Sequence, residues 1–171
     1  MRYAGIIKND VAAGKGVCVT FFVQGCDIHC PGCHNPQTWD FNYGRLFDEG
    51  TQLEILDQIE SNDLLDGITL TGGDPFYSSK ELIPFVKEFK SRFPNKSIWA
   101  YTGFIWEDLI KDNYRKELAS LCDVVVDGPF IMAKKDYTQS FRGSFNQRFI
   151  DVKASLKEHK VVEIEEDNYY D

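Results

Sequence analysis

Short apolar runs recur along the chain and alternate with segments of helical periodicity. Five runs are rich in β-branched and aromatic residues and have the length of strands: residues 17–24, 67–71, 97–101, 123–127 and, with a weaker pattern, 148–152. The first four are almost continuously apolar, which is typical of strands covered on both faces of a parallel sheet. The pattern therefore predicts a central sheet of buried strands.

Apolar residues recur at helical spacing in three segments between these runs: residues 51–60, 79–93 and 105–121, the last in two pieces around Asp112. In the first segment, Leu53 is expected on the buried face. In the second, Ser78 and Glu81 resemble a capping box. Pro84 predicts that this helix begins later than the capping box indicates, because proline lacks the N–H that a helix interior uses.

Strands that alternate with helices predict βα units and a mostly parallel sheet, so the chain is expected to be an α/β protein. Four or five such units are too few for a closed eight-stranded barrel, and a partial barrel or an open sheet is expected. No linker-like stretch divides the sequence, which predicts a single domain over residues 1–171. In folds of this class the chemistry lies at the carboxyl ends of the strands.

Composition and charge narrow the classes of function. Apolar residues make up 43% of the 171 residues and charged residues 27%, as in ordinary globular domains. No apolar run approaches the ~20 residues of a membrane span, and no signal-peptide pattern is present, so we expect a cytoplasmic protein without a membrane partner. The net charge of −8 argues against nucleic acid as a partner. Residues 161–171 carry several acidic residues and are expected to form a solvated acidic tail.

Three of the five cysteines, Cys26, Cys30 and Cys33, lie within eight residues of one another. In a reducing compartment such a group indicates a metal or redox site and not a disulfide framework. Three thiolates on one loop can hold three irons of a 4Fe–4S cluster, which leaves the fourth iron open to a small molecule. Cys18 and Cys122 stand in apolar runs and are expected to be buried residues of the sheet.

The alternative from the same residues is a structural zinc site of the Cys3His type, with His29 or His34 as the fourth ligand. Such a chain would be a zinc-stabilised interaction module without catalysis. Zinc sites usually take two separated ligand pairs, and the sequence contains no second pair. The iron–sulfur interpretation is therefore preferred.

A second polar group, residues 70–75 (LTGGDP), follows the next predicted strand. Gly72 and Gly73 allow the backbone to approach a ligand closely, and the carboxylate of Asp74 could hold an ammonium group. A plain strand-to-helix turn would account for the same residues. Polar or glycine-rich residues also follow the strands at 101–103 and 127–129, so we expect the candidate residues to gather at one edge of the sheet.

Together the CxxxCxxC loop and the GGDP motif resemble the radical S-adenosylmethionine (SAM) superfamily. Further motifs lie at 33–35 (CHN), 38–44 (TWDFNYG), 101–103 (YTG), 126–130 (VDGPF) and 141–148 (FRGSFNQR). With these, the chain is similar to the activases of glycyl radical enzymes, and among them to the activating proteins of anaerobic (class III) ribonucleoside-triphosphate reductase. The resemblance covers residues 2–152 and implies a partial (βα) barrel of the radical SAM type, truncated relative to the full eight-stranded barrel.

The resemblance also implies a mechanism. Cys26, Cys30 and Cys33 would ligate three irons of a 4Fe–4S cluster, whose fourth iron binds the amino and carboxylate groups of SAM. An electron from a flavodoxin- or ferredoxin-like donor then splits SAM into methionine and a 5′-deoxyadenosyl radical. This radical removes a Cα hydrogen from a glycine near the C-terminus of the large subunit of the reductase. The cofactor supplies the hard chemistry, and the protein supplies the geometry.

Contacts to SAM are implied residue by residue where the motifs match. The expected residues are Gly72, Gly73 and Asp74 at the methionine end, Gly32, Cys33, His34 and Asn35 around the adenine, and Thr102 and Asp127 as further contacts. Gly32 departs from the wider superfamily, in which an aromatic residue often precedes the last cysteine. His34 or backbone groups are therefore expected to serve the adenine instead.

Two alternatives remain open at this point. The chain is also compatible with an activase of another glycyl radical enzyme, such as pyruvate formate-lyase, or more distantly with a radical SAM enzyme that acts on a free metabolite. Residues 41–44 and the short C-terminal half favour the reductase. Residues 142–148 form either a structured loop that closes the mouth of the barrel or a contact with SAM or the partner.

Overall fold

The computed structural model describes residues 1–136, 138 and 140–165. Its strands are β1 (Arg2–Asp10), β2 (Cys18–Val23), β3 (Arg45–Leu46), β4 (Gly67–Gly72), β5 (Ser97–Tyr101), β6 (Val124–Asp127) and β7 (Arg148–Asp151). Within the described residues these seven strands form one sheet, in the order β3-β1-β2-β4-β5-β6-β7.

The middle of this sheet is parallel and both of its edges are antiparallel. Strands β2, β4, β5 and β6 run parallel to one another in successive pairs. Strand β1 is antiparallel to β2 and β3, and β7 is antiparallel to β6. Over the part of the chain that is described, β3 and β7 are the outermost strands and the sheet does not close on itself. The expected α/β class is therefore confirmed as an open, mixed sheet with a parallel centre.

The four parallel strands lie where the apolar runs predict them, to within one residue at either end. Strand β7 also falls within its weaker run at 148–152. The apolar pattern does not predict β1 or β3. Several residues of β1, including Lys8 and Asn9, are exposed because the strand lies near the edge of the sheet, so its sequence lacks a continuous apolar run.

The helices are α1 (Glu49–Glu60), α2 (Ser79–Arg92), α3 (Trp106–Leu109), α4 (Asn113–Leu121) and α5 (Val152–Glu158). Their buried residues join those of the strands in one large apolar core. The expected break around Asp112 is confirmed, and the Asp112 carboxylate caps α4 by accepting the Arg115 backbone N–H at 2.9 Å. In the described part of the chain, every helix is too short or too polar to cross a bilayer.

The expected buried face of α1 is partly wrong. Leu53 is 49% exposed, and Ile55 is buried instead, together with Leu56 and Ile59. Three apolar residues at positions i, i+1 and i+4 also form a stripe on one face of a helix, so the spacing alone did not distinguish the two sets. The helix begins at the Asp48 cap, whose Oδ1 accepts the Thr51 backbone N–H at 2.9 Å.

The capping box expected for α2 does not form, because the Ser78 side chain makes no capping hydrogen bond. The delayed start expected from Pro84 is also wrong, because α2 begins at Ser79 and contains Pro84. A 3-10 turn at Pro75–Ser78 leads directly into the helix, and Asp74 caps that turn by accepting the Phe76 backbone N–H. The capping carboxylate therefore lies one turn upstream of the expected serine.

The two cysteines outside the loop are buried, as expected. Burial raises the pKa of the Cys18 thiol to about 11 and that of Cys122 to about 12. Cys18 lies in β2, whereas Cys122 follows the last residue of α4 and precedes β6. Both thiols belong to the interior of the protein.

The first half of the expected acidic tail lies against β7. The Asp151 backbone N–H donates to the Val162 carbonyl at 2.8 Å, and the Ile164 N–H donates to the Phe149 carbonyl at 2.8 Å. Residues 161–165 are therefore ordered along the sheet. Residues 166–171 of the tail lie outside the described residues.

Candidate functional site

The three clustered cysteines lie on the wall of one cavity of about 540 Å³ at the carboxyl ends of the parallel strands. The structure brings most of the expected site residues to this wall: Cys26, Cys30, Cys33, His34, Asn35, Gly72, Gly73, Asp74 and Thr102. Gly32 and Asp127 are not on it. The cavity volume falls within the ~300–1,000 Å³ of typical small-molecule sites. The strand-end rule thus located the cavity correctly.

The cysteine loop leaves β2 and is fastened to the segment that follows it. The Gly25 backbone N–H donates to the Thr38 carbonyl at 2.7 Å, and the Cys26 N–H donates to the Trp39 carbonyl at 3.1 Å. The ring of His29 stacks on Trp39 with centroids 4.4 Å apart. These contacts hold residues 25–39 as one folded loop over the end of the sheet.

Burial and backbone amides have opposite effects on the pKa of the cysteine thiols. Burial raises the pKa of Cys26 to about 11, while hydrogen bonds from the backbone of Ile28 and His29 oppose the rise. Burial likewise raises the pKa of Cys30, opposed by a hydrogen bond from the backbone of Phe130. Amides that point at sulfur stabilise the thiolate form and tune the reduction potential of an iron–sulfur cluster.

The donor set of the loop suits a cluster with several irons. Among the described residues, no three His, Cys, Asp or Glu side chains converge where a single metal ion could be held. A 4Fe–4S cluster makes a different demand, because each cysteine binds its own iron. Cys26, Cys30 and Cys33 are all partly accessible from the cavity. The Asn35 backbone N–H donates to Cys33 Sγ at 3.4 Å.

Gly72 and Gly73 allow the end of β4 to lie directly against the cysteine loop. Gly72 has φ +103°, and a Cβ added to it would lie 2.6 Å from the backbone nitrogen and oxygen of Val23. A Cβ on Gly73 would lie 2.5 Å from the Gly25 carbonyl oxygen. Hydrogen bonds close the same contact, since the Gly73 N–H donates to Val23 and the Asp74 N–H to Gly25, both at 2.9 Å. A side chain at either glycine would separate the two strand ends.

Asp74 joins the end of β4 to the end of β5. Its carboxylate is 1% exposed, and Oδ2 accepts the Thr102 hydroxyl and the Gly103 backbone N–H, both at 2.9 Å. Oδ1 accepts the Phe76 N–H at 3.0 Å. Burial raises the pKa of Asp74 to about 6, against the lowering effect of these hydrogen bonds. The Thr102 hydroxyl therefore donates within the protein, although the residue lies on the cavity wall.

Asp127 is fully buried behind the cavity wall. Its Oδ1 accepts Arg148 Nε at 3.0 Å, and its Oδ2 accepts the Trp106 backbone N–H at 2.7 Å and Arg148 Nη2 at 2.5 Å. Arg148 also donates to Glu107 at 3.1 and 2.8 Å. These groups, which we term the Asp127 network, tie β6, β7 and the start of α3 together.

The segment that was expected to close the mouth of the barrel or to contact SAM or the partner forms part of the cavity wall. Residues 141–147 return over the end of β6 and contribute Phe141, Arg142, Gly143 and Gln147 to the wall. Gln147 holds this segment in place, because its Oε1 accepts the Gly143 N–H at 2.8 Å and its Nε2 donates to the Gly128 carbonyl at 3.0 Å. The motif at 141–148 marked the segment, but it has no periodicity from which its position could be derived.

Phe130 also lies on the wall and was not predicted. The residue belongs to the motif at 126–130 and follows β6, yet no side chain chemistry in the sequence indicates a role for it. Its position beside the cysteine loop is visible only in the folded chain.

Comparison with known proteins agrees with this arrangement. Residues 12–150 match a family described as a 4Fe–4S single cluster domain, which supports an iron–sulfur cluster as the cofactor. The chain is 37% identical over 150 residues to a protein of Pasteurella multocida, covering 86% of this chain and 95% of the relative. It is 36% identical to a protein of Haemophilus influenzae (86% and 96% covered) and 38% identical to one of Enterobacteria phage T4 (86% and 92%). All three relatives are anaerobic ribonucleoside-triphosphate reductase-activating proteins.

Proposed function

The chain belongs to the family of anaerobic ribonucleoside-triphosphate reductase-activating proteins, and on this basis we propose that it is a radical SAM activase. Its substrates are SAM and a glycine of anaerobic ribonucleoside-triphosphate reductase, on which it generates a glycyl radical. The open sheet is, in this proposal, a truncated (βα) barrel of the radical SAM type. The observation that carries the proposal is that three thiols and the glycine-rich end of β4 line the same cavity.

Cys26, Cys30 and Cys33 would hold three irons of the 4Fe–4S cluster. When bound, the cluster would supply one electron that breaks a carbon–sulfur bond of SAM, giving methionine and a 5′-deoxyadenosyl radical that would take a hydrogen atom from the glycine Cα. The electron would come from a flavodoxin- or ferredoxin-like donor. The amides that face Cys26 and Cys30 favour the thiolate form that the irons require.

Gly72 and Gly73 place backbone, and no side chain, at the cavity wall beside the cysteine loop. This arrangement leaves room for the methionine end of SAM and presents peptide groups to its polar atoms. The Asp74 carboxylate, on the same wall, favours the positive charges of the SAM ammonium and sulfonium groups. The methionine end of SAM is thus recognised by backbone groups of the two glycines and by the negative charge of Asp74.

Thr102 and Asp127 have a different role in the proposal from the direct contact that the resemblance implies. The Thr102 hydroxyl donates to Asp74, and Asp127 is engaged by Arg148 and Trp106. We assign both as positioning residues, which hold the strand ends that carry the contacts. His34 and Asn35 remain candidates for the adenine end, since both lie on the cavity wall.

The test begins with anaerobic reconstitution by iron and sulfide. After reduction with dithionite, we expect an electron paramagnetic resonance (EPR) signal of a reduced 4Fe–4S cluster that changes on addition of SAM, together with release of 5′-deoxyadenosine. Replacement of Cys26, Cys30 or Cys33 by alanine should abolish this release. Cys122→Ser is the matched control and should keep the cluster, because Cys122 lies in the core. Zinc in place of iron, or cleavage retained in any of the three alanine variants, would contradict the proposal.

The partner is tested separately with the reduced, SAM-bound protein. Incubation with anaerobic ribonucleoside-triphosphate reductase should produce a glycyl radical signal, whereas pyruvate formate-lyase should give none. A radical on pyruvate formate-lyase alone would support the radical SAM chemistry but contradict the reductase as the partner.

A further inference from the structure

Phe130 places an aromatic ring on the cavity wall next to the cysteine loop. The residue follows β6 and is partly exposed, and it lines the cavity together with Cys30, Cys33 and His34. The rings of Phe130 and His34 are 5.1 Å apart between centroids and tilted by 53°. Two aromatic rings from different parts of the chain thus meet at the side of the cavity where the cysteine loop turns.

Two glycines leave the space that the Phe130 ring occupies. A Cβ on Gly143 would lie 3.0 Å from Cδ2 of Phe130 and 3.2 Å from its Cε2. A Cβ on Gly32 would lie 3.3 Å from Cε1 of Phe130 and 2.5 Å from Sδ of Met132. The ring therefore lies between the tip of the cysteine loop and the segment 141–147. The absence of a side chain at Gly32 has a steric reason in this fold.

The backbone around Phe130 is fixed from both sides. Its backbone lies beside Cys30, a proposed cluster ligand, and opposes the rise in the pKa of that thiol. The preceding carbonyl, of Pro129, accepts Asn146 Nδ2 at 2.7 Å, and the Gly128 carbonyl accepts Gln147 Nε2 at 3.0 Å. The ring is therefore held at a set position relative to the cysteine loop before any ligand binds.

We propose that Phe130 is the stacking platform for the adenine of SAM, with His34 as the adjoining ring. The inference rests on the proposed function and names the residue that recognises the base. Purine rings stack favourably on aromatic side chains, because both present flat apolar faces. Phe130 is a rigid ring within the cavity that holds the cysteines, so a base resting on it stays close to the cluster. Gly32 has no side chain to supply such a ring, whereas Phe130, which follows β6, places one on the cavity wall.

SAM binding to the reconstituted, unreduced protein is the direct test, because no cleavage occurs without an electron. Phe130→Ala should raise the dissociation constant for SAM by about 5- to 150-fold, the range that loss of one base-stacking ring produces. Phe130→Tyr should retain the affinity, and Phe130→Leu should lose most of it although it keeps much of the volume. Phe145→Ala is the matched control, since Phe145 belongs to the same connection between β6 and β7 but is 57% exposed and off the cavity wall.

Two further probes separate the base from the rest of SAM. Binding of 5′-deoxyadenosine should weaken in Phe130→Ala by a factor similar to that for SAM, whereas binding of methionine should stay unchanged. Gly143→Ala should weaken SAM binding by displacing the ring, by a smaller factor than Phe130→Ala, because its Cβ would meet the ring at 3.0 and 3.2 Å. In the Phe130→Ala background the same change should have little effect, because the nearest remaining atom to the Gly143 Cβ would then be His34 Cε1, at an ordinary 3.5 Å.

The outcomes distinguish the inference from the proposed function. Wild-type protein that fails to assemble a cluster or to bind SAM contradicts the proposed function. Wild-type protein that binds SAM, with Phe130→Ala binding it equally well, overturns only the assignment of Phe130. Equal SAM affinity combined with loss of glycyl radical formation would place Phe130 against the partner and would likewise overturn the assignment. The iron content and circular dichroism of each variant check that the cluster and the fold are intact.

Discussion

Arg148 is the residue whose removal should expose the importance of the Asp127 network for stability. Arg148→Met keeps the apolar stem of the side chain. Of the donors that the described residues offer to the Asp127 carboxylate, which is 1% exposed as a side chain, it leaves the Trp106 backbone N–H. Removal of one partner of a buried ion pair costs about 3–5 kcal/mol, because an uncompensated charge stays in the interior. The Arg148 side chain is itself 27% exposed, so water weakens the pair and the lower value, about 3 kcal/mol, is expected.

The assay is urea unfolding of the cluster-free protein under reducing conditions, followed by far-ultraviolet circular dichroism. With a denaturant dependence of about 2 kcal/mol per molar urea, the midpoint of Arg148→Met should fall by about 1.5 M. The double variant Asp127→Asn/Arg148→Met should recover about 2 kcal/mol of this loss, because the buried charge is gone. Arg92→Met is the matched control: its partner is Glu88, both side chains are more than a third exposed, and the change should be below ~1 kcal/mol.

Two results would refute this reasoning. Arg148→Met within ~1 kcal/mol of the wild type would mean that the Asp127 carboxylate finds other donors or water without Arg148. A double variant no more stable than Arg148→Met would mean that the loss arises from packing of the arginine stem and not from the stranded charge.

Two further predictions concern the residues around the cavity. Burial raises the pKa of Asp74 to about 6 in the folded protein, above its value in the unfolded chain. The protonated form therefore stabilises the folded state, and this contribution is lost as the pH rises from about 4 to about 6. The stability of the wild type relative to Asp74→Asn should therefore decrease by up to ~3 kcal/mol across that window and level off above it, as measured by urea unfolding at each pH; a pH-independent difference would contradict the raised pKa. Gly73→Ala should lower stability by about 1–3 kcal/mol and weaken SAM binding, because its Cβ would meet the Gly25 carbonyl. Gly5→Ala, which has nothing within 4 Å of its Cβ, should change neither, and equal effects of the two substitutions would show that the close approach is unimportant.

Much of the central sheet could be predicted from the sequence, and the edges could not. Strands β2, β4, β5 and β6 are covered on both faces, so their apolar residues are consecutive and visible in a single sequence. Strand β1 lies towards an open edge, and its exposed residues break the apolar pattern. The prediction for the start of α2 is wrong for a different reason. The capping carboxylate belongs to Asp74, which lies before a 3-10 turn, and local capping rules consider only the residue next to the helix.

The sequence by itself determined which residues are candidates for the site and which fold class carries them. The candidates are three cysteines at short spacing on one loop, and glycines and an aspartate after the next strand; the fold is a parallel α/β sheet whose strand ends lie at one edge. These features are local, and residue type and spacing are enough to read them. Only the tertiary structure decided how distant residues are paired: Asp74 with Thr102, Asp127 with Arg148, and Phe130 with Gly32 and Gly143. Such pairs depend on the twist of the sheet and the path of its loops, which bring together residues 13 to 98 positions apart in the chain. The hydrogen bonds of Thr102 and Asp127 within the protein, and the position of Phe130 on the cavity wall, are visible only in the folded chain.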